Sequence, residues 1–318
     1  MIEKIKFGDS DLHVAPLAFG SNIFGWTADE ACSFELMDDL YDHGFNFIDT
    51  ADSYSVWAAG HNGGESEAII GKWLRSTGNR SRVVIATKVG ADLGNGKKGL
   101  RASYILEAAD ASLRRLQTDY IDLYQTHFDD PDVPVEETMQ AYDTLIRAGK
   151  VRYIGASNMS PERILASNDF ARMHGMSPYI SLQPLYNLVE RRKFEDTYLD
   201  LAVTEHLAVM PYFSLASGFL TGKYRSESDF GKSIRGSSLG KYLNPDGLHL
   251  LSVMDGIAME TGLSLSQIAL AWLWSRPYVT TPIASATNKA QLEELMQAAR
   301  LKLSPQQIAR LDEASSVF

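Results

Sequence analysis

The amino-acid sequence predicts an α/β fold, a closed (β/α)8 TIM barrel preceded by an N-terminal β-hairpin and followed by an extra C-terminal helix. Short apolar segments alternate with amphipathic helical segments along the chain, which is the pattern of parallel βαβ units. Eight strands can be counted from Leu17 onward, and eight strands close a barrel. Barrels of this kind reach 318 residues as one domain, so we predict a single domain over residues 1–318.

A doubly wound open sheet is the competing fold. It would need a glycine-rich dinucleotide turn directly after its first strand, and none follows residues 17–20. Residues 94–99 match G-x-G-x-x-G letter for letter, but they come several residues after a strand and include two lysines. We interpret this segment as a flexible loop rather than as a phosphate cradle.

The elements follow one another in a regular order. A hairpin is predicted over residues 3–14, with its turn at Gly8-Asp9-Ser10. The predicted strands lie at 17–20, 45–48, 83–88, 120–126, 151–156, 179–183, 207–213 and 278–283. The predicted helices lie at 30–43, 65–75, 103–116, 135–148, 160–173, 195–205, 250–261, 288–299 and 305–315. Residues 225–247 form the longest stretch without periodicity, and we predict a mobile loop over the site there.

Composition and charge exclude several classes of protein. The net charge of −10 argues against a nucleic-acid partner or an anionic membrane surface. The apolar stretches are shorter than a membrane span, and the N-terminus lacks the apolar core of a signal peptide. Cys32 is the single cysteine, so no disulfide framework is predicted and a cytoplasmic location is expected. The helical pattern around Cys32 is typical of a buried structural thiol.

The most informative stretch is residues 44–54, GFNFIDTADSY, which begins as an apolar strand and ends as a polar loop. Asp49 lies at the change and Tyr54 follows in the loop. Lys88 ends the third strand and His127 the fourth. Alone, each of these residues would be an ordinary turn or strand cap. Because active groups of barrels follow the carboxyl ends of strands, the four together predict a catalytic cluster.

The chemistry of these four side chains indicates proton transfer. A phenol has a pKa of about 10, which is too high for easy proton exchange at neutral pH. An ammonium beside the phenol oxygen of Tyr54 favours the phenolate, and Asp49 can balance the charge of a buried Lys88. His127 can orient a carbonyl oxygen or share a proton with Tyr54. The sequence offers no metal-ligand motif and no activated nucleophile, so a proton donor of this kind suits hydride transfer from a cofactor.

Several motifs in this order resemble the aldo-keto reductase superfamily. They are residues 44–54, Gly64-Glu65-Ser66-Glu67 with Ile70-Gly71, the strand ending in Lys88, residues 121–127 (IDLYQTH) and residues 149–158 (GKVRYIGASN). The likeness runs from about residue 5 to residue 311. It implies a barrel with a capping hairpin, no metal, an NADP(H) cofactor across the barrel mouth, and the tetrad Asp49, Tyr54, Lys88 and His127 with Tyr54 as the acid.

The same resemblance implies cofactor contacts. Ser157, Asn158 and Gln183 correspond to the residues that hold the nicotinamide amide, and Tyr212 to the aromatic ring stacked on the nicotinamide. The turn after Tyr212 and the segment 285–294 correspond to the pyrophosphate and adenosine sites. The remaining implied contacts are Gly20, Ser21, Asp49, Phe213, Ser214, Leu215, Ser217, Gly218, Lys223, Arg235, Ser285, Thr287, Gln291 and Glu294.

Three positions depart from the family pattern. Gln291 lies where many relatives have an arginine for the 2′-phosphate, Leu295 replaces a common asparagine and Phe213 a frequent serine. A glutamine cannot form the bidentate phosphate clamp of an arginine. NADP(H) therefore remains the expected cofactor with NAD(H) as the alternative. Lys223, Arg235 and Lys289 are the residues that could supply the missing charge.

Large apolar residues are predicted around the barrel mouth. Phe24, Trp26, Trp57 and Phe128, with Tyr186 further along, are either rim packing or an aromatic substrate pocket. The leading hypothesis is a carbonyl reductase for an aldehyde or ketone. The alternatives are a sugar alcohol or aldose dehydrogenase, a cofactor-sensing subunit similar to potassium-channel beta subunits, and a barrel of unrelated chemistry such as an isomerase. The substrate, the direction of reaction and the oligomeric state do not follow from the sequence.

Overall fold

A computed structural model of the chain describes residues 2–94, 96–234 and 236–318. Eight parallel strands form one sheet in the order β10-β3-β4-β5-β6-β7-β8-β9, and a separate antiparallel hairpin is made by β1 and β2. The strands are β1 Ile5–Lys6, β2 His13–Val14, β3 Ala18–Gly20, β4 Phe47–Asp49, β5 Val84–Val89, β6 Ile121–Thr126, β7 Val151–Ser157, β8 Tyr179–Gln183, β9 Ala208–Val209 and β10 Ile283–Ala284. The predicted (β/α)8 barrel with its N-terminal hairpin is confirmed.

The helices pack around the outside of this sheet. They are α1 Glu30–Asp42, α2 Glu65–Thr77, α3 Ala102–Leu116, α4 Val135–Arg147, α5 Pro161–Met173, α6 Arg192–Thr197, α7 Leu199–Thr204, α8 Pro245–Thr261, α9 Leu265–Trp274, α10 Lys289–Ala298 and α11 Pro305–Ala314. The last of these is the extra C-terminal helix, which begins at Pro305 with Ser304 as its N-cap.

Backbone hydrogen bonds close the sheet into a barrel. β10 pairs with β3 on one side, and on the other side the amides of Thr280 and Ile283 donate to the carbonyls of Val209 and Pro211 at 2.8 and 2.9 Å. β9 and β10 have two residues each, and the rest of this seam consists of such single bonds. Closure leaves no exposed sheet edge, which protects the barrel from pairing with another chain.

The hairpin closes one end of the barrel and leaves the other end open. Phe7, Leu12 and Val14 of the hairpin region pack into the same buried cluster as the barrel-lining Phe47 and Ala86. The rings of Phe7 and Phe47 meet edge to face at 5.3 Å. Because Phe47 begins β4, the hairpin covers the amino-terminal ends of the strands. Any site of chemistry must therefore use the carboxyl-terminal end.

The strand register brings the carboxyl-terminal ends to one level. Asp49 at the end of β4 lies opposite Ala86 of β5, and Lys88 two residues further along lies opposite Gln125 of β6. Ser157 lies opposite Gln183 in the next pair. Parallel strands in this register direct successive side chains at the ends of neighbouring strands toward a common mouth.

Three sequence predictions about elements require correction. Helix α9, Leu265–Trp274, was not predicted, because it is apolar on nearly every side and lacks the polar face of an amphipathic helix. The predicted helix 195–205 is divided into α6 and α7 at Tyr198. Residues 225–247 are not one irregular loop, since they contain 3₁₀ turns at Glu227–Lys232 and Gly236–Tyr242 and the start of α8.

Within the described parts of the chain, every helix is too short or too polar to cross a membrane.

Candidate active site

Lys88 lies at the centre of a buried hydrogen-bonded cluster. Its ammonium group donates to Asp49 Oδ2 at 2.7 Å, to the carbonyl of Thr50 at 2.7 Å and to Tyr54 Oη at 2.8 Å. The three protons of an ammonium are thereby used. Burial lowers the pKa of Lys88, and the adjacent Asp49 carboxylate opposes that shift. The cluster therefore combines a phenol with a cation that has no access to water.

Tyr54 has a second partner in the same cluster, because its hydroxyl donates to Asp49 Oδ2 at 3.1 Å. The phenol oxygen consequently accepts from Lys88 and donates toward Asp49. Tyr54 is half-buried and its side chain lines the cavity at the barrel mouth, whereas Lys88 lies behind it and is fully buried. A molecule in the cavity would meet the phenol before the ammonium.

His127 follows β6 and completes the predicted set of four residues. Its ring lies 6.1 Å from the ring of Tyr54, and its Nδ1 is 3.4 Å from the hydroxyl of Ser53. Burial, reinforced by the positive charge of Lys88, lowers the pKa of His127 well below its ordinary value. The imidazole is therefore neutral at pH 7, and it can offer a ring N–H without carrying charge.

Two glutamines also surround Asp49. Gln183 donates its side-chain amide to Asp49 Oδ1 at 2.9 Å, and Gln125 approaches the same oxygen at 3.5 Å. The sequence predicts Gln183 as a cofactor contact, and its bond to Asp49 is an additional role. Gln125 lies near the end of β6, two residues before His127, and Gln183 ends β8, so both are near carboxyl-terminal strand ends that the sequence indicated. Because the two glutamines approach Asp49 Oδ1, Asp49 Oδ2 remains for Lys88 and Tyr54.

A cavity of about 1050 Å³ opens at this end of the barrel. The structure brings most of the predicted residues to its wall, together with Asn22, Ser53 and Thr221, which sequence reasoning missed. The predicted residues on the wall are Gly20, Asp49, Tyr54, Trp57, His127, Phe128, Ser157, Asn158, Gln183, Tyr212, Phe213, Ser214, Leu215, Ser217, Gly218, Lys223, Ser285, Thr287, Gln291 and Glu294.

One predicted cofactor contact among the described residues, Ser21, does not lie on that wall. Ser21 is fully buried, and its hydroxyl donates to the backbone carbonyl of Asp49 at 2.8 Å, so it supports the strand end. Arg235 lies outside the described residues.

The amide and hydroxyl groups at one end of the cavity are already ordered by the protein. Asn158 donates to the carbonyl of His127 at 2.9 Å and accepts from the hydroxyl of Tyr212 at 3.0 Å. Ser157 donates to the backbone carbonyl of Gln183 at 2.8 Å. These bonds fix the side chains and leave the ring of Tyr212 half-exposed in the cavity. Such fixed groups provide a prearranged polar wall.

The turn after Tyr212 has an unusual backbone. Phe213, Ala216 and Ser217 all have positive φ angles, between 48° and 56°, which side chains rarely adopt. Gly218 follows with φ 98°, and the amino group of Lys223 lies near it. Strained backbone of this kind concentrates at ligand-binding turns. Lys223 is the one lysine or arginine that the described part of the cavity wall contains.

The far end of the cavity is polar. Gln291 Oε1 accepts from the backbone N–H and the hydroxyl of Thr287 at 2.9 and 3.0 Å. The hydroxyl of Ser264 donates to Glu294. Sequence reasoning missed Ser264 and its neighbour Ser266 on this wall, although the Ser264-x-x-Gln267 capping pattern marks the start of α9 in the sequence.

The aromatic residues expected at the mouth divide into two groups. Trp57 and Phe128 are each 47 % exposed and line the cavity, and Trp26 packs edge to face on Trp57 at 5.7 Å. Phe24 is fully buried and packs on Phe19, so the expectation that it contacts substrate is not supported by its position. Tyr186 likewise faces the outer core, where it packs on Trp272.

Across residues 2–94, 96–234 and 236–318, His, Cys, Asp and Glu side chains form no group of three or more that could hold a metal ion. Cys32 is partly buried, and its thiol lies 3.5 Å from the carbonyl of Thr287.

The fold and the site together define a class of protein: a (β/α)8 barrel in which a buried lysine is bonded to a half-buried tyrosine on the wall of a large cavity at the open end. The model of the Aldo/keto reductase family matches residues 16–316. The chain belongs to this family, and its membership supports an oxidoreductase activity.

Individual relatives span nearly the whole chain. A protein of Bacillus subtilis named aldo-keto reductase YhdN is 36% identical, with 87% of this chain and 81% of the relative covered. An uncharacterized oxidoreductase of the same organism, YrpG, is 33% identical over 98% of this chain and 95% of its own. A probable voltage-gated potassium channel subunit beta of Arabidopsis thaliana is 35% identical over 92% of this chain and 90% of its own.

Proposed function

We propose that the protein is an NAD(P)H-dependent reductase that converts an aldehyde or ketone to an alcohol, with Tyr54 as the general acid. The observation that carries this proposal is the position of Tyr54 Oη, 2.8 Å from Lys88 Nζ and 3.1 Å from Asp49 Oδ2 at the wall of the cavity. A phenol in contact with a buried ammonium is an acid strengthened for proton donation.

The proton transfer uses the chain's own residues. When the carbonyl carbon of the substrate accepts a hydride, its oxygen gains the electron pair of the C=O π bond. Tyr54 then gives its proton to that oxygen, and the O–H bond electrons remain on the phenolate. Lys88 stabilises this phenolate, and Asp49 balances the charge of Lys88. In this proposal the imidazole of His127, whose pKa is lowered by burial, donates a hydrogen bond that orients the carbonyl oxygen.

The proposed cofactor is a nicotinamide dinucleotide, whose reduced ring supplies the hydride when bound. The polar wall fits such a group. Ser157, Asn158 and Gln183 provide the donor and acceptor atoms that a carboxamide needs, and the half-exposed ring of Tyr212 provides a stacking surface. The strained turn at 213–218 beside Lys223 suits a diphosphate, because backbone amides and an ammonium both favour anions.

NADP(H) is the proposed form of the cofactor. The 2′-phosphate would lie near Gln291, whose side chain is a neutral amide bonded to Thr287. Lys223 is the cation that the described wall offers. Titration with NADPH and with NADH, followed by protein and nicotinamide fluorescence, decides between the two. Tighter binding of NADH would replace NADP(H) in this proposal.

The proposed substrate has an apolar or aryl group next to its carbonyl. Trp57, Phe128, Phe213 and Ile234 line the cavity and expose between 45% and 65% of their surface. Removal of such surface from water favours binding of an apolar group. A sugar alcohol or aldose oxidised in the reverse direction is the alternative, since sugar rings also stack on aromatic side chains. A panel of aryl aldehydes, aliphatic aldehydes and aldoses distinguishes them.

Substitution of Tyr54 by phenylalanine tests the mechanism. Tyr54→Phe keeps the ring and removes the acid, so kcat should fall by about 10² to 10⁴. Cofactor affinity should stay nearly unchanged, because the proposed cofactor contacts lie elsewhere. Tyr41→Phe on α1, which removes a hydroxyl that accepts from Arg82 on the outer surface, is the matched control. Full activity of Tyr54→Phe would remove Tyr54 from this role.

A regulatory role is the second candidate, because a relative of 35% identity bears the name of a potassium channel subunit beta. A cofactor-sensing subunit would retain its nucleotide tightly and turn over slowly. Measuring the nucleotide that copurifies with the protein, and the rate of its oxidation by an aldehyde, separates this role from that of an efficient reductase.

A further inference from the structure

A second group of ionisable side chains lies directly behind the tetrad. It consists of Asp52, Glu67 and Arg115, and the two carboxyls are almost completely buried. Asp52 follows Asp49 in the same loop, and its backbone N–H lies 3.3 Å from the carbonyl oxygen of Lys88. None of these three residues has a part in the proposed proton transfer. We refer to them as the rear cluster.

Glu67 connects the rear cluster to the strand that carries Lys88. Its Oε1 accepts from the hydroxyl of Thr87 at 2.5 Å, and its Oε2 pairs with Arg115 at 2.6 Å. Gly64 makes this pair possible, because a Cβ at that position would lie within 2.3 Å of the Arg115 Nε. Since Thr87 immediately precedes Lys88 in β5, Glu67 is bonded to the strand that carries the ammonium.

The charges in this region do not balance if every acid is ionised. Lys88 is paired with Asp49, and Arg115 is paired with Glu67. Asp52 is the remaining acid, and neither of its carboxyl oxygens has a hydrogen-bond partner among the described residues. An ionised carboxylate in that position would be a buried charge without a paired cation, which is strongly unfavourable.

Burial and the charged groups around Asp52 together also favour its protonated form. Glu67 from α2 disfavours the ionised form, whereas Arg115 from α3, Lys88 from β5 and the adjacent backbone N–H of Ser53 favour it. Burial and then Glu67 are the largest influences, and they raise the pKa of Asp52 well above its ordinary value. The carboxyl of Asp52 in turn contributes to raising the pKa of the phenols of Tyr104 and Tyr124, after burial as the main cause. The hydroxyls of these two tyrosines likewise have no hydrogen-bond partner among the described residues.

We propose that Asp52 and Glu67 share a single negative charge at pH 7, with the proton on Asp52, and that Glu67 is a positioning residue for Lys88. Ionised Glu67 takes the charge of Arg115 and holds Thr87, while the protonated Asp52 adds no second charge beside Lys88. Because Asp52 and Glu67 are close together, only one of the two carboxyls is ionised behind Lys88. The positioning role of Glu67 rests on the proposed function. The protonation of Asp52 does not depend on the proposed function.

Infrared difference spectroscopy at pH 7 tests the shared proton without any turnover. Asp52→Asn should remove a protonated-carboxyl band that the unsubstituted protein shows. Glu67→Gln should also remove this band although Asp52 is still present, because Arg115 is then free to pair with an ionised Asp52. Loss of a carboxylate band alone in Asp52→Asn, or a protonated band that survives in Glu67→Gln, overturns the proposal.

Two further measurements keep the test decisive. If Asp52→Asn does not fold, Tyr124→Phe should shift the frequency of the protonated band by removing a neighbouring hydroxyl, and an unchanged band would count against the cluster.

For the positioning role, Glu67→Gln should lower kcat about tenfold or more while the KM for cofactor changes little, since small displacements of catalytic groups are costly. Asp52→Asn, which keeps Glu67 and its contacts, should retain kcat. Equal losses in both variants would contradict a specific role of Glu67.

Discussion

Lys88 Nζ lies 2.7 Å from Asp49 Oδ2, and both side chains are at most 1% exposed. Removal of one partner of a buried ion pair leaves the other charge uncompensated and costs about 3–5 kcal/mol. Lys88→Met should therefore lower the free energy of unfolding by about that amount, and it should lower kcat by at least about 10² because Tyr54 loses its cation. Chemical denaturation and steady-state kinetics measure the two effects.

The control for this substitution is the exposed pair of Lys72 and Glu30, whose charged atoms are 2.6 Å apart. Each of these side chains is about half exposed, so Lys72→Met should cost less than about 1 kcal/mol.

In the double variant Lys88→Met/Asp49→Asn, the loss of stability should be smaller than the sum of the single losses. Strict additivity would show that the two buried groups do not act as a pair.

The neutrality of His127 predicts a dependence of stability on pH. The folded pKa lies well below the unfolded value of about 6.5, so the contribution of His127 is complete above that value and is lost as pH falls toward the folded pKa. For each pH unit that the pH falls within this window, the free energy of unfolding decreases by about 1.4 kcal/mol. Between pH 7 and pH 5, the Tm of the unsubstituted protein should therefore fall more than that of His127→Gln. His249→Gln, at an exposed position on α8, should behave like the unsubstituted protein.

The sequence predicts that Asp49, Tyr54, Lys88 and His127 lie close together, because three of them end or follow apolar strands and Tyr54 is in the loop after Asp49. The register of the parallel strands then brings these strand ends together. Contacts that depend on side-chain direction could not be predicted. Phe24 turns into the core although it lies in a loop beside the mouth, and the pairing of Glu67 with Arg115 joins two helices. Helix α9 remained hidden because burial on all sides removes the periodicity that marks a helix.

Gly71 on α2 is predicted to be essential for the packing of α2 on α3. A Cβ at this position would lie 2.1 Å from the carbonyl oxygen of Arg115, and backbone atoms cannot easily move away. Gly71→Ala should therefore destabilise the protein by about 3 kcal/mol, as overpacking does. Gly256→Ala on α8 is the matched control, because its Cβ would meet only the mobile end of Arg310, and helix propensity predicts a gain of about 0.5–1 kcal/mol. Similar Tm values for the two variants would contradict this assignment.

Trp57 is predicted to select aromatic substrates. Its ring is half-exposed in the cavity, lies 6.1 Å from the ring of Tyr54 and is supported by Trp26. An aromatic contact contributes about 0.5–1.5 kcal/mol beyond its buried area, so Trp57→Ala should raise the KM for an aryl aldehyde by up to about tenfold. The KM for a short aliphatic aldehyde should change much less, since that molecule cannot span the distance from Tyr54 to the rim. Met173→Ala, at an exposed position at the end of α5, should change neither value. Equal increases for both aldehydes would show that Trp57 shapes the cavity without recognising the aryl group.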